Sequence, residues 1–188
     1  MHIALFGGRF DPPHIGHLQI ARHTLEVLPN IDEVWYVPAN THPWRPIAAS
    51  GEDRLAMLRL MDTEKIKVSD IDIQRGGETF SIDTVRELQN TTTNSYIFIC
   101  GADQIKSFAD WKEYRELEKR IKFLVFPRKG YPSTDNLPGN FQWLPDSHYL
   151  PTHYSSTEIR DRIKQGMPIS GLVTKEVEKY ILEKNLYR

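Results

Sequence analysis

Apolar positions along this chain switch between two periods. Alternating or unbroken apolar runs mark strand candidates at 2–6, 33–37, 67–73, 96–100 and 123–126. Helical spacing takes over at 16–28, 52–61, 82–89, 112–119, 156–165 and 175–183. In the first of these, Leu18, Ala21, Leu25 and Leu28 share one face. Three helix starts carry side-chain caps. Ser50 with Asp53 precedes Leu55 and Leu58, and Ser155 with Glu158 precedes Ile159 and Ile163; both pairs can form capping boxes. Thr174 can cap the last helix, where Val177, Tyr180 and Ile181 form one apolar stripe. Strands alternating with helices predict an α/β fold, a parallel sheet with helices on both faces. Two segments break the rhythm, at 38–50 and 128–139, and both read as loops at the sheet's edge that serve binding or gating. No linker composition divides the chain, so a single domain over 1–188 is expected.

Charge narrows the partners. The chain has 24 Lys and Arg against 25 Asp and Glu, a net charge of −1. Nothing therefore pulls it toward nucleic acid or membrane in general, and any anion site must be local. No apolar run approaches a membrane span, and the N-terminus enters a strand candidate without a basic n-region or a long apolar h-region. A cytoplasmic protein is expected, and a homo-oligomer is left open. The single cysteine, Cys100, excludes an intramolecular disulfide; within Tyr96-Ile97-Phe98-Ile99-Cys100 it reads as a buried structural thiol.

Chemistry concentrates between the first strand and the first helix. The string is Gly7-Gly8-Arg9-Phe10-Asp11-Pro12-Pro13-His14-Ile15-Gly16-His17. In a parallel sheet this junction is where ligands bind. Glycines let the backbone approach a bulky anion, and a helix start offers free N–H groups and a positive dipole end, so phosphate is the natural guest. Two histidines three apart can face it from one side. The string resembles the His-x-Gly-His signature of the nucleotidylyltransferase superfamily. In its longer form, Gly-Gly-x-Phe-Asp-Pro-x-His-x-Gly-His, it resembles the nicotinate (nicotinamide) mononucleotide adenylyltransferases, which transfer AMP from ATP to a pyridine mononucleotide. The resemblance implies a Rossmann-like doubly wound sheet. It places Gly7, Gly8, Arg9, Phe10, His14 and His17 on the ATP side.

A second phosphate candidate is Ser155-Ser156-Thr157-Glu158-Ile159-Arg160. By itself it is equally an ordinary capped helix with a surface arginine. It resembles the family's Ser-Ser/Thr-Thr-x-Ile-Arg motif, which implies that Ser156, Thr157 and Arg160 hold the triphosphate. Gly101-Ala102-Asp103 matches the family's Gly-Ala-Asp and implies ribose contacts; the other reading of Asp103 is a helix N-cap. Thr79-Phe80-Ser81-Ile82-Asp83-Thr84 is similar to the family's Tyr-Thr-x-Asp-Thr segment, which holds the pyridine substituent through backbone groups. Ser81 is equally an N-cap. Trp111 is either core or, matched to the family's Lys-Trp segment, a stacking face for a pyridinium ring. Arg128, in a loop similar to Arg-x-Gly-Tyr, either approaches a phosphate or is a solvated charge. One departure stands out. Where the family usually carries Pro-x-His-Lys, this chain reads Asn40-Thr41-His42-Pro43-Trp44-Arg45-Pro46, so Arg45 takes the lysine's place with a broader, forked cation.

These matches imply direct in-line attack of the mononucleotide phosphate on the α-phosphorus of ATP, with His14, His17 and Arg160 as catalytic donors. Mg²⁺ would arrive with ATP, without a dedicated protein metal site. Phosphates beside the histidines would raise their pKa above roughly 6.5. His23 is expected on a helix surface. The Thr79–Ser81 loop and Trp111 resemble the bacterial nicotinate type, so nicotinate mononucleotide is the expected acceptor and deamido-NAD the product of a step in NAD biosynthesis. A nicotinamide or dual-specificity enzyme, a phosphopantetheine-type adenylyltransferase and a non-catalytic nucleotide sensor are the alternatives.

Overall fold

A computed structural model describes residues 1–41, 46–128, 130–131, 137–145 and 155–188. In chain order the elements are β1 (His2–Gly8), α1 (Ile15–Val27), β2 (Glu33–Pro38), α2 (Gly51–Arg59), β3 (Ile66–Val68), α3 (Ile71–Arg75) and α4 (Ser81–Thr91). Then follow β4 (Ser95–Gly101), a 3₁₀ helix (Ala102–Asp110), α5 (Tyr114–Arg120), β5 (Lys122–Phe126), β6 (Phe141–Trp143), α6 (Ser156–Lys164) and α7 (Lys175–Glu183). The strands form one all-parallel sheet in the order β3-β2-β1-β4-β5-β6.

Sheet strands covered on both sides read as continuous apolar runs, and β1 does so with Ile3, Ala4, Leu5 and Phe6 all buried. Their alternation splits the core in two. Ala4 and Phe6, with Ile99 and Leu124, pack toward Leu18 and Ala21 of α1, Met57 and Leu58 of α2, Ile159 of α6, and Val177 and Ile181 of α7. Ile3 and Leu5, with Phe98 and Phe123, pack toward Ile82 and Val85 of α4, Phe108 of the 3₁₀ helix and Leu117 of α5. The expected caps form: Ser50, Ser155 and Thr174 accept from the main-chain N–H of Asp53, Glu158 and Val177.

Three expectations are corrected. The strand predicted at 67–73 ends at Val68, and Ile71–Arg75 turns into a helix because the buried Asp72 carboxylate accepts from Arg75, three residues on, and from Thr84. The edge of the sheet gains β6, where Phe141 stacks on Phe123 at 4.3 Å between ring centroids. His23 is buried rather than on a helix surface, and its Nε2 lies 2.7 Å from the carbonyl of Pro145.

The sheet order reverses between β1 and β4, because β1 leads outward to β2 on one side while β4 continues the sheet on the other. That reversal opens a crevice beyond the carboxyl ends of β1 and β4.

Candidate active site

The β1–α1 turn forms one wall of the crevice. A Cβ at Gly7 would come within 2.6 Å of the Phe98 ring, so the strand end must lack a side chain to lie against it. Phe10 adopts a left-handed φ of 49° with its ring fully buried, a cost that packing must offset. Asp11 is buried, and its carboxylate accepts from the main-chain N–H groups of Ala48 (2.7 Å) and Ala49 (3.0 Å). Arg54 joins the same knot from α2. Only 1% exposed, it donates to the carbonyls of Arg9 (2.9 Å), Ala39 (2.7 Å) and Asn40 (3.1 Å). Three chain segments are thus tied by one guanidinium, whose rigid fork suits several acceptors at once.

His14 caps α1, and its ring stacks on His17 with centroids 3.7 Å apart. The main-chain N–H of His14 donates to Nδ1 of His17 at 3.1 Å, which leaves the ring proton of neutral His17 on Nε2. Burial, reinforced by the Arg128 charge, lowers the His14 pKa to about 4. Burial, then His14 and Arg128, hold His17 well below its usual value. In the free protein both rings are therefore neutral donors. The expected upward shift belongs to the phosphate-bound state; without phosphate, the loss of hydration acts on the rings in the opposite direction.

The opposite wall comes from the ends of β4 and β5. Asp103 accepts from Arg128 (3.0 Å) and from the Gln104 amide (2.8 Å) through Oδ2, while its Oδ1 is buried without a hydrogen-bond partner among the described residues. A Cβ at Gly101 would fall 2.4 Å from that Oδ1, so glycine makes room for the carboxylate. Trp111 packs edgewise on Phe98 and Phe108. The loop before α4 is pinned from β2: Thr79 Oγ1 accepts from the N–H of Asn40 (2.9 Å), and the Gly77 carbonyl accepts from the Asn40 amide (2.9 Å) and the Thr41 hydroxyl (3.0 Å).

Between these walls lies a cavity of about 650 Å³. It is within the usual range for a small-molecule site. Gly7, Gly8, Arg9, Phe10, His14, His17, Thr79, Phe80, Ser81, Gly101, Asp103, Trp111, Arg128, Ser156 and Thr157 all line it. Residues chosen from separate motifs thus converge on one space.

The sequence model of the cytidylyltransferase-like family matches residues 5–162. A relative from Shouchella clausii, named "Probable nicotinate-nucleotide adenylyltransferase", is 39% identical over 98% of this chain and 96% of its own length. The chain belongs to the nicotinate-nucleotide adenylyltransferase family. A relative of the same name from Halalkalibacterium halodurans is also 39% identical, over 99% of this chain and 91% of its own. The fold matches that of the Plasmodium falciparum nicotinic acid mononucleotide adenylyltransferase complexed with NaAD, with a TM-score of 0.83 at 19% identity, covering 99% of this chain and 97% of that one.

Against the family motifs, the placement of Arg160 differs from expectation, and the helix-cap alternatives for Ser81 and Asp103 are not realised. Arg160 is outside the cavity lining; it donates to the Asp11 carbonyl (2.6 Å) and the Thr157 hydroxyl (3.3 Å), docking α6 on the β1–α1 turn. Ser81 is the first residue of α4 rather than its N-cap, which is Phe80. Asp103 lies inside the 3₁₀ helix, whose N-cap is Gly101, so its carboxylate is not a helix cap. Arg45 and His42, like His148 and His153, lie outside the described residues. Sequence reasoning misses Arg54, although it shares a helical stripe with Met57, Leu58 and Met61, and a charge on such a stripe must be buried among polar partners. Among the described residues no group of three or more His, Cys, Asp or Glu is placed to hold a metal ion, and no helix is long and apolar enough to cross a membrane.

Proposed function

We propose that this protein transfers AMP from ATP to nicotinate mononucleotide, releasing pyrophosphate and forming deamido-NAD. The observation that carries the reading is one cavity that gathers both sets of motif residues. The stacked histidines at the start of α1 line it together with Ser156 and Thr157 at the start of α6, where the Ser156 hydroxyl donates to the Pro12 carbonyl of the β1–α1 turn (2.8 Å). Phe80, Ser81 and Trp111 line the same space.

A mononucleotide phosphate oxygen attacks the α-phosphorus of ATP, the bond to the β-phosphate oxygen breaks, and pyrophosphate leaves with the electron pair. The attacking oxygen is already anionic, so no protein base or nucleophile is needed. The protein's work is positioning and charge stabilisation. His17, with its proton on Nε2, donates to the α-phosphate region, and His14 donates beside it. Arg160 has five N–H donors, and holding the β- and γ-phosphates requires those not engaged with Asp11 and Thr157 to turn into the cavity, whose lining they do not join in the free protein. Asp103 accepts from ribose hydroxyls through acceptor sites that Arg128 and Gln104 leave open, its Oδ1 having no partner among the described residues. Mg²⁺ would come with ATP and supply charge neutralisation on its phosphates, since among the described residues no group of three or more His, Cys, Asp or Glu is placed to hold it.

Pyrophosphate release with Mg–ATP and nicotinate mononucleotide, run beside nicotinamide mononucleotide, tests this. Release with the acid in clear excess is expected. Preference for the amide overturns the substrate; release with neither overturns the reaction.

A further inference from the structure

The cavity lining includes a cation from no family motif, Lys112. It follows Trp111 in the chain, and its Nζ stands 4.7 Å from the centroid of the Phe80 ring, within cation–π range. The same Nζ donates to Asp83 Oδ2 at 2.9 Å. Asp83 belongs to the first turn of α4 and is not part of the lining, so the ammonium of this lining residue is held by a carboxylate outside the cavity. An ammonium carries three donors and Asp83 engages one. The pair is 41% and 29% exposed, and pairs this accessible are worth little by themselves. A second anion arriving over the Phe80 ring can therefore share or take the ammonium at small cost.

Phe80 and Trp111 line the same cavity and Nζ lies over the Phe80 ring, so a negative substituent on a flat ring bound against Phe80 would fall near Nζ. We infer that Lys112 is a specificity-determining residue, which favours a pyridine ring bearing a carboxylate over one bearing a carboxamide. Asp83 has the opposite effect, because its charge partly cancels the ammonium. The inference rests on the mononucleotide occupying the cavity beside Phe80 and Trp111, as in the proposed function.

The test is kcat/KM for nicotinate and nicotinamide mononucleotides in the unmodified protein, Lys112→Gln, Lys112→Arg and Asp83→Asn, with thermal melting as a check on folding. Lys112→Gln is expected to lower the acid-to-amide ratio about fivefold, the scale of an exposed charge pair, through KM for the acid alone. Lys112→Arg keeps the ratio, and Asp83→Asn raises it. Lys112→Gln and Asp83→Asn break the same ion pair, so a merely structural contact would move both ratios the same way, or both substrates together; either result overturns the inference. Failure of the proposed function would appear separately, as absent turnover of both substrates by the unmodified protein, and would overturn this inference with it.

Discussion

The main-chain N–H of His14 bonds Nδ1 of His17 across 3.1 Å, so one ring's tautomer is set by the other residue's backbone. Protonating Nδ1 of His17 would break that bond and place a charge in a buried stack only 3.7 Å from a second imidazole. In the free protein the pair is therefore two neutral imidazoles, with the His17 proton fixed on Nε2.

Loss of one such donor should be costly to turnover. His14→Ala is expected to reduce kcat by about 10²–10³, the usual effect of removing a preorganised donor from a developing charge. Steady-state pyrophosphate release measures it. Near-full turnover would remove His14 from the chemistry.

Stability should depend on pH through the same ring. The unfolded His14 binds a proton near pH 6.5, and the folded one only near 4. Between those values the unfolded state holds more protons, so stability is intact above about 6.5 and falls as the pH drops toward 4. The loss is on the order of 3 kcal/mol. Denaturant titrations across this window should show it, with a shallower slope in His14→Gln. An unchanged slope would mean that His14 is hydrated in the folded protein.

Arg54 makes a different prediction, about the frame. Arg54→Ala leaves the buried carbonyl of Ala39 and the partly buried carbonyls of Arg9 and Asn40 without their shared donor. A loss of at least about 3 kcal/mol is expected, since each unsatisfied buried group costs about 1–3. In a chain of this size that corresponds to a fall in Tm of roughly 6–12 °C. Arg54→Lys should recover only part of the loss, because an ammonium has no fork. A melt of Arg54→Ala within about 2 °C of the unmodified protein, the smallest shift worth roughly 1 kcal/mol here, would refute the role.

Gly7 tests the floor of the crevice. Gly7→Ala drives a methyl group against Phe98, whose ring is wedged by Trp111 and Phe123. Overpacking of this kind costs about 1–3 kcal/mol. Phe98→Leu should relieve much of it, so a double-mutant cycle in chemical denaturation should give a favourable coupling. Additive effects would place the ring elsewhere.

Much of this protein could be read before it was folded. The four long apolar strands, the capped helices and the glycine–histidine string depend on local periods and local hydrogen bonds, which neighbouring residues specify by themselves. The motif residues from Gly7 to Thr157 could be chosen by resemblance, and they converge on one cavity. Elements whose stability comes from distant partners were not legible. The helix Ile71–Arg75 depends on Asp72 reaching Thr84, and the three residues of β6 depend on β5 and the stacked Phe123. Charge states were decided in the same way. Sequence placed two histidines beside an anion site, but only the tertiary structure stripped them of water and aimed one backbone N–H at Nδ1 of His17. Local patterns set which residues alternate, stack or cap; burial, which sums contributions from the whole chain, decides what those residues cost and therefore what they can do.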